Sequence, residues 1–216
     1  MENITAISSV LGVLLVGAMS PGPSLVVVVR SSIGVSRQAG IATALGMGVG
    51  GVLFATLALL GLQALLMQVP WLYTGLRIVG GFYLMYLAFK LWQGARQTLE
   101  MPDITLEKSP RGRKFFLLGL TTQLSNPKTA IVYGSIFAAL LPAYLPMWSG
   151  AVLLLSVFTI EAGWYIIVAM TFSAKKPRSV YLNSKRWIDR AAGSAMGALG
   201  LRLVYDAIVQ NRNAAT

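Results

Sequence analysis

Two short stretches decide how this chain is read: Ser20, Pro21, Gly22, Pro23 and Ser24 in its first half, and Ser125, Asn126, Pro127, Lys128 and Thr129 in its second. Each interrupts a long apolar run. Proline has no backbone N–H to give and its ring clashes with the preceding turn, so a helix carrying one mid-length must kink or unwind. In hydrocarbon the freed backbone groups are tolerated only where protein buries them or a cavity receives them. Paired breaks at corresponding places in two halves are the pattern of a membrane transporter whose substrate site lies between them.

Composition fixes the surroundings of these breaks. Of the 216 residues, 56% are apolar and only 12% charged, and the mean hydropathy is +0.67. Such a surface suits lipid rather than water. Spans of about 20 apolar residues each leave room for six helices and little else. The apolar stretches fall at about 4–29, 41–67, 72–91, 115–141, 148–172 and 191–210. The N-terminus, Met1, Glu2 and Asn3, has no basic region, and the apolar run continues past Pro21, so it is expected to be a retained first helix and not a cleaved signal.

The basic residues lie in alternate loops. Arg30 and Arg37 fall in the first, Arg96, Lys108, Arg111, Arg113 and Lys114 in the third, and Lys175, Lys176, Arg178, Lys185, Arg186 and Arg190 in the fifth. The second and fourth loops carry none. The positive-inside rule puts the odd loops in the cytoplasm and both termini outside. The net charge of +11 is thereby explained by topology, and no nucleic-acid partner is expected. Trp71, Tyr73, Trp92, Tyr144, Trp148 and Trp187 sit near the span ends, where aromatic rings anchor at the headgroups.

With three spans per half, the second three run opposite to the first. The expected fold is an all-α integral membrane domain of six transmembrane helices, a 3+3 inverted-topology repeat in which the first and fourth helices are broken by proline. The single domain divides into a first repeat at about 1–92, a cytoplasmic linker at about 93–114 and a second repeat at about 115–212. A faint echo supports it: Gly81 to Lys90 and Gly193 to Arg202 align at equal offsets. Gly46 with Gly50, and Gly193 with Gly197, have the spacing that lets helices approach closely, so helix packing is their expected role.

The candidate transport residues are few. After the first break, Pro21 and Pro23 force the unwinding, Gly22 relieves the backbone, and a half-helix beginning at Ser24 offers free N–H groups and a positive end to an anionic group such as a carboxylate. A proline kink satisfied by neighbouring helices is the plainer alternative. At the second break, Asn126 can cap the resumed helix after Pro127, and Lys128 adds a cation. A central charge costs about 2.5–3.5 kcal/mol to insert, so Lys128 needs a partner or a wet cavity unless it snorkels to the surface. Glu161, in the middle of the fifth span, is the best single candidate for coupling to a proton or a substrate, because a carboxyl alternating between dry and wet faces can bind and release a proton. A static ion pair with Lys128 or Arg202 is the alternative. Arg202 and Asp206 stand four apart and pair on one helix face, while Arg77 and Lys90 near the ends of the third helix snorkel.

The chain has no Cys and no His, which removes thiol chemistry and the commonest metal ligand. No metal and no cofactor are expected. Scattered Ser and Thr without a base do not make an enzyme.

The stretches SPGPSLVVVVRSSIGVSRQAG (20–40), GIATALGMGVGGVLFATLALLGL (40–62), GGFYLMYLAFKLWQGA (80–95), GLTTQLSNPKTAIVYGSIFAALLP (119–142) and RWIDRAAGSAMGALGLRL (186–203) together resemble the LysE/RhtB family of bacterial amino-acid exporters, and most closely its threonine and homoserine branch. The resemblance covers nearly the whole chain. It implies a multi-pass protein of the bacterial inner membrane that exports small neutral amino acids or close derivatives in exchange for protons, with Pro21, Gly22, Pro23, Asn126, Pro127, Lys128 and Glu161 at the family's motif positions. Family members often carry Asp or Asn directly after SPGP, where this chain has Ser24. A passive channel and a structural membrane subunit are the other classes open to such a chain, and its oligomeric state stays open, a homodimer among the options.

Overall fold

The computed structural model describes residues 2–20, 22–68, 70–95, 112–141, 145–172 and 175–213. Among them there is no strand. Helices α1 (Glu2–Met19) and α2 (Pro23–Arg30) are followed by a π-helical turn (Ser31–Val35), then by α3 (Arg37–Gln68), α4 (Pro70–Gly94), α5 (Gly112–Leu124), α6 (Pro127–Leu140), α7 (Met147–Phe172) and α8 (Lys175–Asn213).

Among the described residues three segments are long and apolar enough to cross a membrane, Arg37–Gly61, Met147–Phe172 and Ser184–Val209. The α1–α2 pair, Ile4–Met19 with Pro23–Val35, meets the same requirement as one span bent by 60°. Both breaks fall at the expected prolines. Pro23 and Pro127 each occupy the first turn of the helix that resumes, where the missing N–H is one that no helix could satisfy.

Close packing of backbones builds the wall of the bundle. A Cβ on Gly46 would collide with the carbonyl oxygen of Phe116, and one on Gly119 with that of Thr43, so α3 and α5 touch backbone to backbone. One turn on along the same face, a Cβ on Gly50 would lie 2.8 Å from Gln123 of α5, and on another face of α3 one on Gly48 would lie 2.8 Å from Ala162 of α7. α4 crosses α8 in the same manner. A Cβ on Gly81 would come within 2.8 Å of the Gly200 carbonyl oxygen, and one on Gly193 within 3.0 Å of the Ala88 carbonyl oxygen. Two apolar clusters fill the interior. The larger is built around Leu14, Leu84, Tyr133, Phe137 and Met196; the smaller joins Leu25 and Val28 of α2 to Met47, Tyr165 and Phe172.

Two expectations are corrected. Lys175, Lys176, Arg178, Lys185, Arg186 and Arg190, expected in a fifth loop, all belong to α8, which begins at Lys175 and not near 191. The reason is docking: the buried Lys185 ammonium donates to the Gly94 carbonyl at 2.7 Å and to Asp189 at 2.8 Å, so a charged segment remains helical against the end of α4. Arg30, expected in the first loop, is buried because α2 runs on through the π turn to Val35 before the chain turns at Ser36. Ser36 then accepts from the Ala39 N–H at 3.1 Å and opens α3.

The linker expected at about 93–114 is narrower at both ends, since α4 includes Gln93 and Gly94 and α5 starts at Gly112; 96–111 lie outside the described residues. Trp92 and Trp148 are exposed near helix ends, as anchors should be, and Trp187 is exposed near the start of the membrane-length segment Ser184–Val209. The side chains of Trp71, Tyr73, Tyr144 and Arg77 lie outside the described residues.

Candidate functional site

The two breaks meet. A Cβ on Gly22, between α1 and α2, would lie 3.9 Å from Nζ of Lys128 at the start of α6. Gly22 is extended (φ −167°, ψ −175°), a backbone any residue adopts. A Cβ there would make only ordinary contact with the lysine, so the expected backbone relief is not required of a glycine at this position. Pro21 lies outside the described residues. Pro23 and Pro127 set the starts of α2 and α6 and send Ser24, Asn126 and Lys128 inward.

A buried polar chain runs from these breaks to α7. The Asn126 side chain accepts from the Lys128 N–H at 3.1 Å, capping α6 as the Asn-Pro pattern predicts, and its amide donates to Ser24 Oγ at 3.2 Å. The Ser24 hydroxyl donates to Gln123 Oε1 at 2.8 Å. Gln123 Nε2 donates to Glu161 Oε2 at 3.3 Å, and the Tyr133 hydroxyl donates to Glu161 Oε1 at 3.0 Å. Glu161 is only 4% exposed. A carboxyl group so far from water is held by directed donors or not at all.

Around this chain lies a cavity of about 40 Å³, counted over the positions open to the centre of a water-sized sphere. Its lining includes Gly17, Ser20, Gly22, Ser24, Lys128 and Glu161. One water centre needs about 10–15 Å³ by the same measure, so the space suits a few waters or a small polar solute. It offers one cation, Lys128, and one carboxyl, Glu161. It also offers the start of α2, which no side chain caps, and Ser20 Oγ, which is buried without a partner.

Neither static ion pair of Glu161 is present: among the described residues it forms none with Lys128 or Arg202, and Arg202 pairs with Asp206 at 3.6 Å as its spacing predicts. Lys90 is exposed and lies 5.5 Å over the Tyr86 ring.

Sequence reasoning missed Gln123 and Tyr133, the two donors that hold Glu161. The available signal was a polar side chain three residues before Asn126 and a tyrosine in the middle of an apolar helix. It also missed Gly51, where a Cβ would come within 2.9 Å of the Tyr133 hydroxyl and 3.1 Å of Glu161 Cγ.

A polar pocket with opposite charges, buried where two broken helices meet inside an apolar helical protein, defines a multi-pass membrane transporter. The chain belongs to the LysE type translocator family, whose sequence profile matches residues 15–207. It is 32% identical over 212 residues to a protein of Escherichia coli K12 named uncharacterized membrane protein YahN, covering 97% of this chain and 94% of that protein. It is likewise 32% identical over 192 residues to the threonine efflux protein of E. coli K12, covering 88% and 93%. With the leucine efflux protein of Salmonella choleraesuis it shares 27% identity over 189 residues, covering 86% and 88%. No solved structure matches.

Proposed function

We propose that this chain exports small neutral amino acids, of the threonine and homoserine type, from the cytoplasm in exchange for protons. The observation that carries this reading is the charge pattern of the cavity, in which Lys128 and Glu161 face one space at the start of α2. A zwitterion matches it. The carboxylate is taken by Lys128 and the free N–H groups of α2, and the ammonium is taken by Glu161. When no substrate is bound, a proton on Glu161 fills the same role. The small volume excludes bulky side chains. The name of the threonine efflux relative agrees with this substrate class.

The helices form a 3+3 inverted repeat, with α1–α2, α3 and α4 against α5–α6, α7 and α8, both termini on the outer side of the bacterial inner membrane. Reciprocal packing supports this. The offset of 112 that relates Gly81 to Gly193 also relates Ala88 to Gly200, and the contacts are Gly81 with Gly200 and Gly193 with Ala88. A two-fold relation predicts that exchange. Flexing of the broken helices at Gly22 and Asn126 alternates access to the cavity, and a membrane potential adds about 2.3 kcal/mol per charge per 100 mV.

The test is uptake of threonine, homoserine and a wider amino-acid panel into inside-out vesicles under an imposed pH gradient. Accumulation above equilibrium that Glu161→Gln abolishes is the expected result. Flux that only equilibrates the substrate, or equal accumulation by Glu161→Gln and the parent, overturns the coupled mechanism.

A further inference from the structure

Asp189 of α8 is buried, at 2% exposure, yet only half of its carboxylate is accounted for. Oδ2 accepts from Lys185 at 2.8 Å. Oδ1 is buried and has no hydrogen-bond partner. A bare carboxylate oxygen in a dry interior forfeits its hydration with nothing in return, which makes it a place where a donor arrives in another state.

The face of α8 that carries Asp189 reaches the cavity wall at Met196. Asp189, Ala192, Met196, Leu199 and Leu203 are all buried along it. Met196, seven residues on from Asp189, lies 3.4 Å from where a Cβ on Gly17 would be, and Gly17 lines the cavity. Lys128 is within electrostatic reach of both Asp189 and Glu161. Lys128 shares the cavity with Glu161, and Asp189 is held to Lys185, whose ammonium reaches the Gly94 carbonyl at the end of α4.

We propose that Asp189 is a positioning residue of the transport cycle: its free Oδ1 receives the Lys128 ammonium in one of the two alternating states, and in the other Lys128 faces the cavity shared with Glu161. The flexible four-carbon stem of lysine permits the swing. The exchange keeps a cation that is costly to strand in the bilayer beside a carboxylate throughout. Withdrawal of Lys128 from the cavity removes the group that holds a substrate carboxylate, so it couples the direction of opening to release. The inference rests on the transporter reading given above.

The test uses the absence of natural cysteines. Ser20→Cys places one thiol in the cavity of the full-length, reconstituted chain, and membrane-impermeant thiol reagents are added from either face. The parent carrying only this change is labelled from both faces. Combining it with Lys185→Met and Asp189→Leu, which replaces the buried pair by apolar side chains and keeps the packing, is expected to restrict labelling to one face, and the same two changes in the chain that keeps Ser20 are expected to lower threonine uptake about tenfold or more. Should that pair fail to fold, Asp189→Asn beside an intact Lys185 gives the same reading. Lys128→Met is expected to restrict labelling in the same way, with no further loss when Asp189 is also changed. Two-faced labelling in the folded Asp189 variants, or losses that add between Lys128 and Asp189, overturns the proposal. Failure of the amino-acid reading looks different: no panel member accumulates even in the parent, while labelling still depends on Asp189.

Discussion

Tyr133 of α6 donates its hydroxyl to Oε1 of Glu161 on α7 across 3.0 Å, so the two helices share a buried carboxyl whose other oxygen is held by Gln123 of α5. Removal of the phenol oxygen leaves Oε1 without that donor. Tyr133→Phe is expected to lower stability by about 1–3 kcal/mol, read as thermal unfolding in detergent, and to reduce coupled uptake more than it reduces folded protein.

Gly51 stands behind this bond. A Cβ there would sit 2.9 Å from the Tyr133 hydroxyl and 3.1 Å from Glu161 Cγ. Gly51→Val is expected to displace both groups and cut transport roughly tenfold, at an overpacking cost of about 1–3 kcal/mol. Gly163→Ala is the control, since nothing lies within 4 Å of its Cβ position. It is expected to leave transport intact and to raise stability by up to about 1 kcal/mol through helix propensity.

The Asn126 cap makes a third case. Asn126→Ala deletes the acceptor for the Lys128 N–H and the donor to Ser24. Loss of the cap alone costs about 0.5–2 kcal/mol. Asn126→Asp keeps the acceptor, so unfolding curves of the two variants should separate, with the aspartate closer to the parent.

A fourth concerns the crossing of α4 and α8. A Cβ on Gly200 would lie 2.5 Å from the Gly81 carbonyl oxygen. Gly200→Val must push the helices apart and is expected to lower the thermal midpoint, with a cost of about 1–3 kcal/mol. Gly197→Ala, whose Cβ meets only the Ala88 side chain at 3.4 Å, should be tolerated.

The breaks were legible in the sequence because proline announces its own defect: a missing N–H in an apolar run has few explanations. Glu161 was legible for a similar reason, as a carboxyl surrounded by Thr159, Ile160 and Ala162. Gln123 and Tyr133 were not. A helix apolar on every side has no polar stripe to mark which face is inward, so their direction is set by the close approach of α3 to α5, visible only in three dimensions. The charged run from Lys185 to Arg190 misled for the opposite reason. Its charge density marks a loop, and what keeps it helical is a contact across 91 positions, between Lys185 and the Gly94 carbonyl. Arg30 shares this difficulty, since nothing local reveals that a π turn carries the chain onward.

The interlocking of α3 with α5 limits how such a molecule can change shape. Where Gly46 receives the Phe116 carbonyl and Gly119 receives that of Thr43, neither rod can slip lengthwise without driving an oxygen into a neighbouring side chain. They behave as meshed gear teeth. In the transport cycle proposed above, motion between inward-facing and outward-facing forms is left to α1, α2 and α6, which can flex at Gly22 and Asn126 while the toothed wall stays engaged.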